Sequence, residues 1–390
     1  KLDNCDLLDI VMGSFWSIHL PGNPLWMFIV APPSGSKSET IIPASDWWRC
    51  HAISNVTSKA LVSGFQLNGG ADPSLLAALD GKRAVIAIKD LTPLLQGGQE
   101  EKDEVFGILR DAYDGSISKV FGNGLRRTYT NLHFGLVAGV TPAIDAYGST
   151  SMGERFLKFR ADKDTNRLDD IDRAVRAIEN CGNEQAMREE LKKACVGSLQ
   201  REFKEASIPT PDASFKLLAS ELAWCVANLR AVAPTEKGSD NQTMAPMVEA
   251  PPRLATQFVK LAQGLCLHLE ATELMDDRVV RLVRRVGLHT PDKVTTRIVQ
   301  ALFMSKEPSS IGGVAGRIKG LSRETISKVL MKLSRTGLLN TRKDQMTTLY
   351  SLSNIARERM TRVGIFSNIP KNDPFYLVPQ LTIARPRRAG

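Results

Sequence analysis

The sequence predicts an α/β fold, a parallel sheet flanked by helices with a phosphate-binding loop, followed by a helical segment and a basic C-terminal unit. Three observations predict it. Trp26-Met27-Phe28-Ile29-Val30 is an apolar run of strand length that breaks at Pro32-Pro33 and passes through small residues to Lys37-Ser38. Arg83 to Asp90 is a second such strand, ending in a carboxylate. From Arg278 to the end, Lys and Arg outnumber Asp and Glu by 22 to 6, where helical periods give way to a strand, a turn and a strand.

The totals set bounds. The 390 residues suffice for two or three domains, and 43% hydrophobic with 24% charged residues is the composition of a globular chain. No apolar run approaches the roughly 18 to 20 residues that span a bilayer, so no membrane partner is expected. Opening on Lys1 rather than Met, the sequence is expected to begin inside a longer protein. Six cysteines show no metal-binding spacing and read as thiols of a reducing, cytoplasmic compartment. The net charge of +9 is uneven: the stretch from Arg278 carries +16, which leaves −7 for the rest. A polyanion is therefore expected at the C-terminal end.

In chain order, Leu7, Leu8, Ile10 and Val11 form an apolar helical patch, and 21–24 reads as the turn into the first strand. The loop that follows needs small residues so that backbone N–H groups can close around a polyphosphate, a Lys to reach its outer phosphates, and a hydroxyl for Mg²⁺. Pro33, Ser34, Gly35, Ser36, Lys37, Ser38 and Glu39 are the candidate nucleotide-binding residues, with Lys37 on phosphate and Ser38 on the metal. The two glycines of the common pattern fall on Ala31 and Ser36. Trp47 and Trp48 read as core or subunit-contact residues.

The strand from Arg83 leaves two readings of its end. Either Asp90 is the Mg²⁺ carboxylate and the catalytic base lies elsewhere, with Glu100, Glu101 and Glu104 nearby in sequence, or the register shifts so that Lys89 takes the metal position. Asn123-Gly124 between alternating residues predicts a hairpin, with Arg126 and Arg127 directly after the turn. Phe134 to Val140 is another apolar strand, closing on Thr141-Pro142.

These parts resemble, in order and spacing, the AAA+ ATPase core of minichromosome-maintenance (MCM) type replicative helicases and of related phage and mobile-element helicases. The stretch from Ala31 to Ser38 is similar to the MCM phosphate loop, which also carries a small residue before Lys-Ser. Ser116 to Tyr129 followed by Gly135 to Pro142 is similar to the pre-sensor hairpin and sensor-1 strand, with Thr141 in place of the usual Asn. Gly153-Glu154-Arg155-Phe156 resembles the stretch that supplies an arginine finger, and Pro252-Arg253-Leu254 the sensor-2 arginine of the lid. The resemblance implies ATP and Mg²⁺, catalytic roles for Lys37, Asp90, Thr141, Arg155 and Arg253, and a hexameric ring of identical chains. It also implies DNA gripped by Lys119, Arg126 and Arg127. Arg155 and Arg253 also have a plain reading as structural ion-pair partners, and the hairpin cations as solvated surface charges.

The core is expected over 1–160 and a helical lid with an insertion over 161–290. Three helices and a basic hairpin over 291–365 form a winged-helix pattern. Ser322 opens its third helix, with Ile326, Val329, Leu330 and Leu333 inward. Arg323, Lys328, Lys332 and Arg335 on that helix, and Arg342 and Lys343 at the expected turn, are candidate DNA contacts. Residues 366–390 read as a basic tail with several prolines. The expected function is an ATP-driven helicase or replication initiator. The alternatives are a DNA-bound AAA+ regulator or loader that remodels a protein partner, and a nucleotide-binding scaffold that hydrolyses little.

Overall fold

A computed structural model describes residues 5–33, 37–66, 70–145, 155–161, 167–233, 246–318, 320–371 and 373–376. The chain enters through helix α1 (Cys5–Trp16) and strand β1 (Trp26–Val30), then runs through α2 (Lys37–Ile41), β2 (Cys50–Ile53), α3 (Ser58–Leu61), α4 (Leu75–Leu79) and β3 (Arg83–Ile88). After α5 (Thr92–Gln96) and α6 (Gln99–Tyr113) comes the hairpin β4 (Ile117–Val120) and β5 (Arg126–Tyr129), then β6 (His133–Val140) and β7 (Phe156–Arg160). Strands β2, β3, β6, β1 and β7 lie in that order in one sheet, every neighbouring pair parallel.

All five residues of β1 are buried, as a parallel strand covered on both faces requires. The pleat divides them. Met27 and Ile29 join Val85, Ala87 and Val137 in the core on one face, while Trp26, Phe28 and Val30 join Ile86, Ile88 and Phe106 on the other. The second face is closed by α4, α5 and α6.

The first face is closed by α1 and by helices from later in the chain. After α7 (Arg167–Glu179), none of whose described residues joins that core, these are α8 (Glu184–Leu199), α9 (Ala213–Leu229), α10 (Pro252–Leu269) and α11 (Asp277–His289), with α1 lying along α10. The two helices meet backbone to backbone. A Cβ at Gly264 would stand 2.2 Å from the Gly13 carbonyl oxygen, so a side chain there would force them apart. The segment expected as a lid thus shares one continuous core with the sheet.

That core continues through α12 (Lys293–Phe303), α13 (Ile311–Arg317), α14 (Arg323–Arg335), the antiparallel pair β8 (Leu339–Asp344) and β9 (Thr347–Leu352), and α15 (Asn354–Val363). Ser322 Oγ accepts the Thr325 N–H at 3.1 Å, the cap its position implies. The turn falls later than expected. Asp344 pairs with Thr347, leaving Gln345 and Met346 as a two-residue turn with Gln345 at φ 51°, so Arg342 and Lys343 lie in the strand.

The start of the expected tail is packed inward. Asp373 is fully buried and accepts hydrogen bonds from Arg285 Nε at 3.0 Å and Nη2 at 2.8 Å, and His289 Nε2 lies 3.0 Å away. The Arg160 N–H donates to His289 Nδ1 at 3.0 Å, which places the ring proton on Nε2, facing Asp373. Arg160 Nη2 also reaches Asp145, at 2.7 Å. A buried charge needs such partners, and these residues fasten β7 to α11 and to the segment after α15.

Burial holds four histidines below the ordinary imidazole range: His51, His289 with Asp373 opposing, and His19 and His133, each at about 4. The unfolded chain takes up these protons near pH 6.5, whereas folded His19 and His133 resist them until near pH 4, and His51 and His289 are shifted in the same direction. Stability is therefore full above about pH 6.5 and declines as pH falls below it. Guanidinium unfolding at pH 7 and pH 5 is expected to give a lower midpoint at pH 5, and His133→Gln is expected to narrow the difference.

Candidate functional site

Parallel strands place their carboxyl ends on one edge, and ligands of open α/β sheets bind beyond that edge where the strand order changes direction. Here the change falls at β1, with β6 and β3 on one side and β7 on the other. The strand ends are tied in register. The Ala31 N–H donates to Val140 O at 3.0 Å, and the Leu91 N–H donates to Gly139 O at 2.8 Å. The residues just past β1, β3 and β6 are therefore neighbours.

Lys37 opens α2 and folds back over this edge. Its side chain is buried, at 6% exposure, with Nζ donating to the Ala31 carbonyl at 3.0 Å. Burial lowers the pKa of the ammonium, and the Asp90 carboxylate opposes that shift, which sets Asp90 within electrostatic reach of Lys37. Of the two registers, the one with Asp90 toward Lys37 fits, since Lys89 is exposed while Asp90 is half-buried. Asp90 Oδ1 accepts the Thr92 N–H at 2.9 Å, which fixes the carboxylate on its own turn. The Thr92 hydroxyl in turn donates to Thr141 Oγ1 at 3.5 Å, a long contact that joins the ends of β3 and β6.

Lys37, Asp90 and Thr141 therefore come together as the sequence implied, with Ser38 half-buried in the first turn of α2. Pro33 is exposed, and Ser34, Gly35 and Ser36 lie outside the described residues. Glu39 is held by Arg188 of α8 in a two-pronged pair at 3.0 and 2.9 Å. Thr92 was not singled out from sequence, although a hydroxyl two residues after a strand-ending Asp marks such a turn. Leu91, beside Asp90, is buried in the core. Glu104 pairs with Lys119 at 2.5 Å, and Glu100 and Glu101 stand exposed in the first turn of α6.

The two candidate arginines lie at the opposite edge. Trp26 and Phe156 are paired at the amino-terminal ends of β1 and β7, and Arg155 directly precedes Phe156. Its guanidinium is 2.6 Å from Asp114 and sits over the Tyr113 ring, its side chain 9% exposed, so the plain ion-pair reading holds for it here. Gln257 of α10 donates to the Arg155 carbonyl at 2.7 Å and to the Tyr113 hydroxyl at 3.2 Å. Arg253, one turn earlier, is exposed and acts electrostatically on the same Tyr113. Both arginines are thus a strand length, roughly 15 Å, from Lys37. Arg253 thus lies away from the Lys37 edge of its own chain, because α10 begins at the far end of the sheet.

The hairpin departs from expectation in its side chains. Arg127 is turned inward, Nη2 donating to Phe65 O at 2.8 Å and Nε lying 3.3 Å from Asp72, and Lys119 is held by Glu104. Arg126 is exposed. In the C-terminal unit Arg323, Lys328, Arg335, Arg342 and Lys343 are exposed and Lys332 is half-buried, while Ile326, Leu330 and Leu333 point inward. Lys328 pairs with Glu324 at 3.1 Å.

No protein-family model matches this sequence, and a comparison with curated proteins returned no match. No described helix is long and apolar enough to cross a membrane.

Gly139 is where the edge is tightest. A Cβ there would lie 2.6 Å from the Lys89 carbonyl oxygen and 3.5 Å from Lys37 Cβ. Gly139→Ala is expected to cost about 1–3 kcal/mol in chemical denaturation, because a backbone oxygen cannot swing aside. A change within experimental error would show that the strand ends are not packed this closely.

Proposed function

We propose that this chain is an ATP-hydrolysing motor of the AAA+ type that acts on DNA, as a helicase or replication initiator working as a hexameric ring of identical copies. The observation that carries the reading is the convergence of Lys37, Asp90 and Thr141 at one sheet edge beyond the change in strand order. The buried ammonium of Lys37, held among the described residues by the Ala31 carbonyl, is suited to the outer phosphates of ATP. Ser38 and Asp90 would hold Mg²⁺, which when bound neutralises charge on the phosphate oxygens. Thr141, steadied by Thr92, is placed to orient a water or a phosphate oxygen. The positions of Arg155 and Arg253 support action on the nucleotide of an adjoining copy, with the Arg155–Asp114 pair opening as that copy docks. Arg126 and the exposed basic residues of the C-terminal unit, read as a winged helix, are the candidate DNA contacts.

A second reading, an ATP-controlled DNA-binding scaffold with little hydrolysis, is favoured by one observation. Leu91 fills the position beside Asp90 with a buried apolar side chain, where hydrolases of this type commonly carry the base.

ATP hydrolysis measured with and without single-stranded DNA separates the two. The motor reading expects stimulation by DNA and a loss of about 100-fold or more in Lys37→Ala. It also expects loss in Arg253→Ala, with partial recovery when the two inactive variants are mixed, since each would complete the other's site. Hydrolysis at background in the wild type, with ATP still bound, would leave the scaffold.

A further inference from the structure

At the amino-terminal edge of the sheet lies a cavity of about 500 Å³, walled by the turn before β1, the end of α6 and the facing sides of α9 and α10. Its volume is that of a small-molecule site. Lys260, Lys216, Ser220, Thr256 and Tyr113 supply polar groups, and no Asp or Glu is among the described residues that line it. Lys260 is 7% exposed, with Nζ held by the carbonyls of Gly22 (3.2 Å) and Asn23 and no carboxylate paired with it among the described residues. Lys216 is exposed on α9 at the mouth. Arg83 adds a third positive charge within electrostatic reach of Lys260, and together with burial it lowers the Lys260 pKa to about 8.

A buried ammonium without a counter-charge is costly, and a bound anion relieves that cost. We infer that this cavity binds a small phosphate-bearing molecule, with Lys260 at its floor and Lys216 at its mouth, at a site separate from the Lys37 edge. Several cations favour a dianion over a monoanion, and the Ser220 hydroxyl supplies a neutral donor. The cavity exceeds a bare phosphate, and Pro21, Pro211 and Val259 offer apolar walls for the body of the ligand.

Pyridoxal 5′-phosphate with borohydride, followed by peptide mapping, tests this near pH 8. The neutral Lys260 amine condenses with the aldehyde and releases water; hydride then reduces the imine carbon and solvent protonates the nitrogen, leaving a stable secondary amine. The expected result is preferential labelling of Lys260, reduced about tenfold or more by inorganic phosphate but not by chloride of equal ionic strength. Pyridoxal without its phosphate is expected to label about tenfold less. Lys216→Met, at an exposed position that keeps the fold, should weaken labelling of Lys260, whereas Lys37→Ala should leave both labelling and protection unchanged. Labelling scattered over surface lysines, equal labelling by pyridoxal, protection by acetate as strong as by phosphate, or protection lost in Lys37→Ala would each overturn the assignment.

Discussion

The burial of β1 on both faces is the constraint on which the rest of the molecule depends. A parallel strand with no solvent-facing side needs helices above and below it, and here they come from different parts of the chain. Those between β2 and β6 cover one face, while α1 and the helices α8 to α11 cover the other. Full coverage of β1 leaves its ends as the places where it can meet a ligand. The carboxyl ends of β1, β3 and β6 then bring Lys37, Asp90 and Thr141 together, although more than 100 residues separate the first from the last. Burial of the Lys37 side chain follows from the same packing, because α2 is pressed against the end of β6.

The same covering sets what lies at the other edge. Because α10 must run along α1, held close by Gly13 and Gly264, its first turn falls beside Tyr113 and Arg155 rather than beside Lys37. That geometry separates the arginines from the lysine within one chain. Farther along, the partners of Arg160 tie the end of β7 to both the turn after β6 and the C-terminal unit, through Asp145, His289 and Asp373. The site edge and the basic C-terminal helices are therefore parts of one packed body.

Much of this was legible in the sequence, where the signal was local. The uninterrupted apolar runs of β1, β3 and β6, the Asn123-Gly124 hairpin and the Ser322 cap each follow from the chemistry of a few adjacent residues. Strand β7 was harder to see because Lys158 and Arg160 interrupt its apolar pattern; both are matched by Asp145, a partner that only the fold brings near. Long-range pairing explains the other departures as well. The partners of Arg127, Lys119 and Arg155 cannot be named from a linear text, yet Asp72, Glu104 and Asp114 meet them in space. The inward packing of Asp373 and Phe375 was hidden by the polar, proline-containing stretch around them.

The most direct test of the central claim is calorimetric titration of the protein with ATP in the presence of Mg²⁺, for the wild type and for Lys37→Ala. A saturable site with Kd below about 1 mM in the wild type, weakened about 100-fold in the variant, is the predicted result. A wild type that takes up no Mg·ATP, or a variant that binds it as tightly, would contradict the assignment of the Lys37 edge as a nucleotide site.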